Sequence, residues 1–325
     1  MKRIPSSPPR ILPISLTARP LWSVMIPVYN CAEFLTETLE SVLIQALPEE
    51  KMQIEVIDDA STDADIASLV NRLGKGRIKY FRQVENVGSL RNFETCINHA
   101  HGHLVHILHG DDRVREGYYK KTGSLFENYP QAGAAFCRYS YINTSGKFLY
   151  AQPGEMNQEG ILQNWFLRIA ERNRIQYAAM TVRREVYEEL GGFFGITYCE
   201  DWEMWVRIAK QFPVAYTPDL LADYRKHKQS ITGQKFLNGT YLKDIYSAMK
   251  LIQQHLPGDQ KERILNRSKK FYAFYAIRMA NDLWHQTHDK KAVNASISEA
   301  FAMHKNYKMY WIMLKLYTKM FLSRK

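Results

Sequence analysis

The stretch Leu104-Val105-His106-Ile107-Leu108-His109-Gly110-Asp111-Asp112 decides how the chain is read. An apolar-rich run bounded by glycine is the pattern of a buried strand, and this one ends by placing two adjacent carboxylates on the loop beyond it. Adjacent carboxylates repel. At the carboxyl end of a strand in an open α/β sheet, where the ligands of such sheets bind, the ordinary remedy is a hard divalent cation with oxygen ligands. A solvated Gly-Asp turn is the competing reading, and the flanking sequence has to decide between them.

Toward the N-terminus the chain alternates strand and helix. Residues 22–28 form an apolar strand leading into Tyr29-Asn30, and Phe34, Leu35, Leu39, Val42 and Leu43 then recur at helical spacing. A short strand at 53–57 runs into Asp58-Asp59-Ala60-Ser61-Thr62-Asp63, followed by a helix marked by Ile66, Leu69, Val70 and Leu73. The unit repeats with a strand at 77–82, the turn Glu85-Asn86-Val87-Gly88, and a helix over 89–100 with Ser89 as its N-cap. The stretch at 104–112 is therefore the fourth strand. The alternation predicts a mostly parallel sheet with helices on both faces. Beyond Asp112 the pattern predicts a helix at 116–129, a strand at 132–141, a hairpin turn at Asn143-Thr144-Ser145-Gly146, and a strand at 176–182. Trp202, Trp205, Val206 and Ala209 then place Asp201 in the first turn of an amphipathic helix. Helical patterns dominate from Tyr241 onward. The expected organisation is a flexible leader at 1–20, an α/β domain at 21–235 and a helical C-terminal region at 236–325.

With 325 residues and 46% hydrophobic content the chain can bury a sizeable core. Cys31, Cys96, Cys137 and Cys199 are widely separated, which suggests neither a disulfide framework nor a zinc ribbon and fits the cytoplasm. The leader lacks the apolar core of a signal peptide, and no run is long enough for a transmembrane helix. A net charge of +11 calls for an anionic partner, with nucleic acid, phospholipid and a phosphorylated small substrate all qualifying. Much of the basic excess lies at 261–325. There Lys308, Lys315 and Lys319 run among Met309, Tyr310, Trp311, Leu316 and Phe321, the look of a helix lying on the inner face of a membrane or of a terminal helix packed on protein.

Asp58-Asp59 and Asp111-Asp112 each follow a strand of one sheet, so both pairs emerge at one rim, joined there by Pro27, Tyr29 and Asn30 from the first strand. A nucleotide fits such a rim: Tyr29 stacks on the base, Asp59 accepts from a base N–H, and a metal at Asp112 neutralises a diphosphate. The alternative is that Asp58 and Asp59 only cap the following helix.

Taken in order, Pro27-Val28-Tyr29-Asn30, Asp58-Asp59-Ala60-Ser61-Thr62-Asp63, Glu85-Asn86-Val87-Gly88 with Arg91-Asn92, Gly110-Asp111-Asp112 and Glu200-Asp201 resemble the family 2 glycosyltransferases of GT-A fold, over roughly residues 21–232. The resemblance implies a Rossmann-like domain in which Tyr29 and Asp59 hold a uracil-type base and Arg91 and Asn92 lie near the nucleotide. It implies that Asp111 and Asp112 bind Mn2+ or Mg2+, Asp112 more directly, and that Asp201 is the catalytic base; Glu200 is the competing catalytic carboxylate, in which case Asp201 caps the helix. Tyr224-Arg225-Lys226-His227 resembles the family's closing loop, whose His227 reaches the metal or the diphosphate. The chain departs from the family in two places. His109 stands where many members have an Asp, and the Gln-x-x-Arg-Trp motif of polymerising members is not found after Asp201, which implies addition of a single sugar.

The expected activity is inverting transfer of one sugar from a nucleotide diphosphate donor, UDP-linked, to a glycan or lipid-linked glycan acceptor of surface polysaccharide assembly. A sugar-phosphate nucleotidyltransferase is disfavoured because no Gly-rich triphosphate loop follows the first strand. A nucleic-acid-binding protein would not need five carboxylates at a sheet rim. Of the histidines crowded into residues 99–109, a zinc site is conceivable, but packing and capping roles are favoured, with the first two suited as imidazolium to a helix C-terminus.

Overall fold

A computed structural model describes residues 2–16 and 18–322. Met1, Thr17 and residues 323–325, which fall in the leader and the C-terminal region read above, lie outside the described residues. The chain forms two compact units, one of Met1–Trp165 with Arg174–Lys226 and one of Phe166–Asn173 with His227–Lys325.

In the first unit the elements follow as β1 (Trp22–Val28), α1 (Ala32–Leu43), β2 (Met52–Asp58), α2 (Ile66–Gly74), β3 (Lys79–Arg82), α3 (Ser89–His99), β4 (Leu104–Ile107), β5 (Arg113–Val114) and α4 (Tyr118–Asn128). Next come β6 (Ala134–Ile142), β7 (Phe148–Ala151), β8 (Gly160–Ile161), β9 (Met180–Arg183), α6 (Arg184–Leu190), α7 (Glu200–Gln211) and β10 (Val214–Arg225), while α5 (Trp165–Glu171), between β8 and β9 in the chain, belongs to the second unit but for Trp165. The sheet runs β3-β2-β1-β4-β9-β6-β10-β5, with β7 on β6 and β8 on β10. Pairing is parallel from β3 through β4 and between β6 and β10, while β9 runs antiparallel to both its neighbours.

Every residue of β1, β2 and β4 is buried, as strands covered on both faces are, and the polar Gln53 and Glu55 of β2 are satisfied by Ser23 and His99. Beyond Ile107 the backbone stays in register: the Leu108 N–H donates to the Met25 carbonyl at 3.0 Å and the Gly110 N–H to the Pro27 carbonyl at 3.1 Å. A Cβ on Gly110 would lie 2.9 Å from both Cys31 Sγ and Val28 Cγ2, so only glycine lets the strand end pass there.

The N-terminal segment is not the flexible leader expected. Its Pro9 and Pro5 carbonyls accept from the N–H groups of Gly192 and Gly195 at 2.8 and 2.9 Å, and Ile11 is buried. A proline-rich chain is already extended and loses little entropy on docking. Nor is Ser89 an N-cap. That position belongs to Gly88, whose φ of 89° an L-residue adopts only with strain, and Ser89 is the first helical residue. Asp65, rather than the Asp58-Asp59 pair, caps α2, accepting from the Ser68 N–H at 3.0 Å.

The second unit holds α8 (Ile231–Leu237), α9 (Tyr241–Gln253), α10 (Gly258–Thr287), α11 (Lys290–Met303) and α12 (Tyr307–Leu322). Ala280, Leu283 and Trp284 of α10, Val293 and Ile297 of α11, and Leu316 and Met320 of α12 form its core.

Candidate active site

Parallel pairing of β1 with both β2 and β4 brings the two carboxylate pairs to one rim, where the Asp59 N–H donates to the Val28 carbonyl at 2.8 Å. Asp58 is a structural member of the pair. Its carboxylate accepts from the Ser61 N–H at 2.9 Å, from the Tyr80 hydroxyl at 2.7 Å, and from Arg82. Asp59 accepts from the N–H groups of Val87 and Gly88 at 2.7 and 2.9 Å and from the Asn86 amide at 2.9 Å, which pins the loop before α3 around it. Burial raises its carboxyl above the usual range and these donors oppose the rise.

Tyr29 stands half exposed at the rim, and Asn30 holds a left-handed turn with its side-chain oxygen accepting from the Thr62 N–H at 2.8 Å. Pro27 is buried within β1. Asn92 is buried too, its amide donating to the Ile57 carbonyl at 2.9 Å, so it braces the end of β2 from behind the rim instead of lying on it. Arg91 pairs with Glu94 and donates to the Lys2 carbonyl at 2.9 Å.

At the end of β4, ligand atoms of His109, Asp111 and Asp112 all lie within 4.8 Å of one another. Asp112 is 1% exposed, and its Oδ1 accepts from the Arg225 N–H at 2.8 Å. Its Oδ2 and the Nε2 of His109 are buried without a hydrogen-bond partner among the described residues. Buried polar atoms without a partner are costly, and two residues that carry them, grouped within ligand distance of a further carboxylate, fit a divalent cation. Burial first, and the Asp111 charge second, drive the Asp112 carboxyl well above its ordinary range, while the N–H and charge of Arg225 oppose the rise. Burial lowers the His109 imidazole and keeps it neutral, the form that ligates.

The Arg225 side chain reaches behind this cluster, donating to the Asp111 carbonyl at 2.8 Å and pairing with Glu37, which also pairs with Arg113. Arg113 and Arg115 in turn hold Asp223, both at 2.7 Å. The strand end that carries the carboxylates is thus tied to β10 by a continuous ionic network.

His109 also leads to the other half of the site. Its ring lies 4.4 Å from that of Tyr177, whose hydroxyl donates to Glu200 at 3.2 Å at the start of α7. Asp201 follows in the first turn, with its Oδ1 accepting from the Trp202 N–H at 2.7 Å. The expected strand at 176–182 is extended only from Met180; residues Tyr177–Ala179 form a 3-10 turn, and this turn aims Tyr177 at His109. Sequence reasoning missed Tyr177; it gave His109 a packing role, with which its ring stacked on Phe93 at 5.1 Å agrees, and the structure adds that His109 also lies within ligand distance of the carboxylate pair. Its position two residues before the carboxylate pair was the available signal.

His106 is a packing histidine as expected, buried, lowered to about 3 by desolvation, and 3.1 Å from the Ala178 carbonyl. His101 differs from the imidazolium expected at the helix end, because desolvation and then the Lys79 charge lower it. His227 opens the second unit, where its carbonyl accepts from the Ser230 hydroxyl at 2.9 Å.

Residues 23–191 match the family model described as glycosyl transferase family 2. The putative teichuronic acid biosynthesis glycosyltransferase TuaG of Bacillus subtilis is 27% identical over 67% of this chain and 84% of its own length. The glycosyltransferase GlyA of Streptococcus pneumoniae, by contrast, is 28% identical over 44% of this chain and only 20% of its own length. Among solved structures, S. aureus TarS 1-349 in complex with UDP-GlcNAc superposes with a TM-score of 0.62 at 16% identity, over 87% of this chain and 88% of that one. The mannosyltransferase PcManGT from Pyrobaculum calidifontis, in complex with GDP-Man and Mn2+, gives 0.57 at 18% identity over 99% and 91%.

Proposed function

The chain belongs to glycosyl transferase family 2, and from that premise we propose that it moves one sugar, with inversion, from a UDP-linked donor to a hydroxyl of a glycan or lipid-linked glycan. The observation that carries this reading is the grouping of His109, Asp111 and Asp112, whose ligand atoms lie within 4.8 Å of one another, together with buried Asp112 Oδ2 and His109 Nε2 that find no hydrogen-bond partner among the described residues. TarS with UDP-GlcNAc and PcManGT with GDP-Man and Mn2+ support it by fold.

In this reading Tyr29 stacks on the base and Asp59 accepts from a base N–H with lone pairs left over from the 86–88 loop. Asn30, Asp111 and Arg91 line the nucleotide, while Pro27 and Asn92 shape the rim from beneath. Asp111, Asp112 and His109 hold a divalent metal, Mn2+ or Mg2+. Such an ion, when bound, acts as a Lewis acid toward the departing diphosphate.

Asp201 takes the proton of the acceptor hydroxyl, and the acceptor oxygen bonds to the anomeric carbon. The bond from that carbon to the diphosphate oxygen breaks, and its electron pair leaves with UDP. Glu200, held by Tyr177, keeps the α7 terminus in place. One displacement inverts the anomeric centre.

Proton NMR of the protein with Mg2+, an acceptor mixture and a panel of α-linked nucleotide sugars tests this directly. Release of UDP with a β-configured product is expected. Release of UMP and a sugar 1-phosphate would point to nucleotidyl chemistry instead.

No helix among the described residues is long and apolar enough to cross a membrane. α12 buries Met309, Leu316 and Met320 but leaves Tyr307, Tyr310, Trp311, Leu314 and Phe321 exposed. With Lys315 over the Trp311 ring at 5.0 Å, this outer stripe suits an anionic membrane surface on the cytoplasmic side, where each lysine adds about 1 kcal/mol. The triple variant Trp311→Ser, Leu314→Ser, Phe321→Ser spares the buried side of α12. It should lose co-sedimentation with phosphatidylserine-containing vesicles, and equal sedimentation of both proteins would refute the membrane reading.

A further inference from the structure

Three adjacent strands carry a row of tyrosines that the donor chemistry does not use. Register sets Tyr150 of β7 beside Tyr141 of β6, and Tyr141 beside Tyr224 of β10. The Tyr141 and Tyr150 rings stack with centroids 4.5 Å apart, and Tyr224 meets Tyr141 edge-on at 5.6 Å. Tyr139, two residues back on the same face of β6, brings its hydroxyl within 3.5 Å of that of Tyr141.

Lys226 completes the row. Its ammonium lies 5.7 and 5.6 Å from the Tyr141 and Tyr150 centroids and 3.4 Å from the Tyr150 hydroxyl. Lys226 and Tyr150 are exposed, and among the described residues no carboxylate pairs with Lys226.

The row borders both halves of the chemistry. Lys226 follows Arg225, whose N–H is bonded to Asp112. β6 pairs with β9, and the Tyr177–Ala179 turn that leads into β9 carries the tyrosine that donates to Glu200, the neighbour of Asp201, at 3.2 Å. An acceptor whose hydroxyl reaches Asp201 therefore has this surface beside it. The C–H faces of a pyranose are apolar and pack on aromatic rings, and a lysine ammonium is a compact point charge that suits a phosphate or carboxylate.

We propose that Tyr141, Tyr150 and Lys226 form the acceptor subsite, and that it takes a sugar ring bearing an anionic group. The inference rests on the transferase reading, since that reading is what makes Asp201 the place the acceptor must reach. It goes further in naming the acceptor's chemistry. Lys226 lies between the arginine that braces Asp112 and the closing-loop histidine, so one side chain ties acceptor charge to the donor site.

Calorimetry with matched methyl disaccharides, in the gluco, galacto and N-acetylglucosamine series, tests it in the presence of UDP and Mg2+. Each series includes a neutral, a phosphorylated and a uronate form. The wild-type protein should bind one charged form about tenfold tighter than the neutral one, as expected of a charge-assisted hydrogen bond, and the tighter of the two identifies the anion. Lys226→Ala should erase that preference and Lys226→Arg should keep part of it. Tyr150→Ala should weaken all forms about tenfold, in line with loss of an aromatic contact, whereas Tyr150→Phe should not.

Failure of the wild-type protein to bind any saccharide, or unchanged binding by both alanine variants, would overturn the proposal. Saccharide binding that follows these patterns in a protein that does not bind UDP would instead refute the donor reading and leave the subsite standing.

Discussion

Asp201→Asn is expected to lower single-turnover transfer by about two to four orders of magnitude while leaving UDP affinity intact, because a positioned base is worth that much. Asparagine keeps the shape and the side-chain oxygen that accepts from the Trp202 N–H, so the start of α7 should persist. What it removes is the ability to take a proton. Glu200 is the competing base, but Tyr177 already donates to it, which suits a positioning role. Glu200→Gln should therefore reduce transfer by a smaller factor. Near-normal transfer by Asp201→Asn would remove Asp201 from the mechanism, and loss of UDP binding would reassign it to the donor side.

The architecture was legible wherever one physical signal dominated. β1 was read to the residue because a wholly buried strand is a continuous apolar run, and Tyr29-Asn30 then end it. β4 was equally plain, and its carboxylates stood out because nothing local could neutralise them. The first turn of α7 could be read from Trp202, Trp205 and Val206, although the helix is buried on every side over Glu200–Ile208 and not along one amphipathic stripe.

Tertiary partners decided what was missed. Asn92 looks like any polar residue in the first turn of a helix, and only the neighbouring Ile57 carbonyl turns it into an internal brace. Ser89 is a good cap by type, yet the backbone at Gly88 had already taken that place. His109 packs on Phe93 as read, but five histidines together in the sequence cannot show that this one also lies within ligand distance of Asp111 and Asp112. Ile11 buries a proline-rich segment that composition alone marks as a free tail.

The most direct measurement is calorimetric titration of UDP into the wild-type protein and into Asp112→Asn, each with Mn2+ and with EDTA. The asparagine retains an oxygen for the Arg225 N–H and fills the same volume, so the fold around β4 and β10 should survive, as circular dichroism can verify. It gives up the charge that Asp112 offers a cation alongside Asp111 and His109. Wild-type protein should bind UDP about 100-fold more tightly with Mn2+ than with EDTA, and the variant should lose that difference, since loss of a ligating carboxylate weakens metal binding at least as much as loss of an outer-shell partner does. UDP binding by the folded variant with unchanged dependence on Mn2+ would contradict the assignment of this strand end as the metal-bearing donor site.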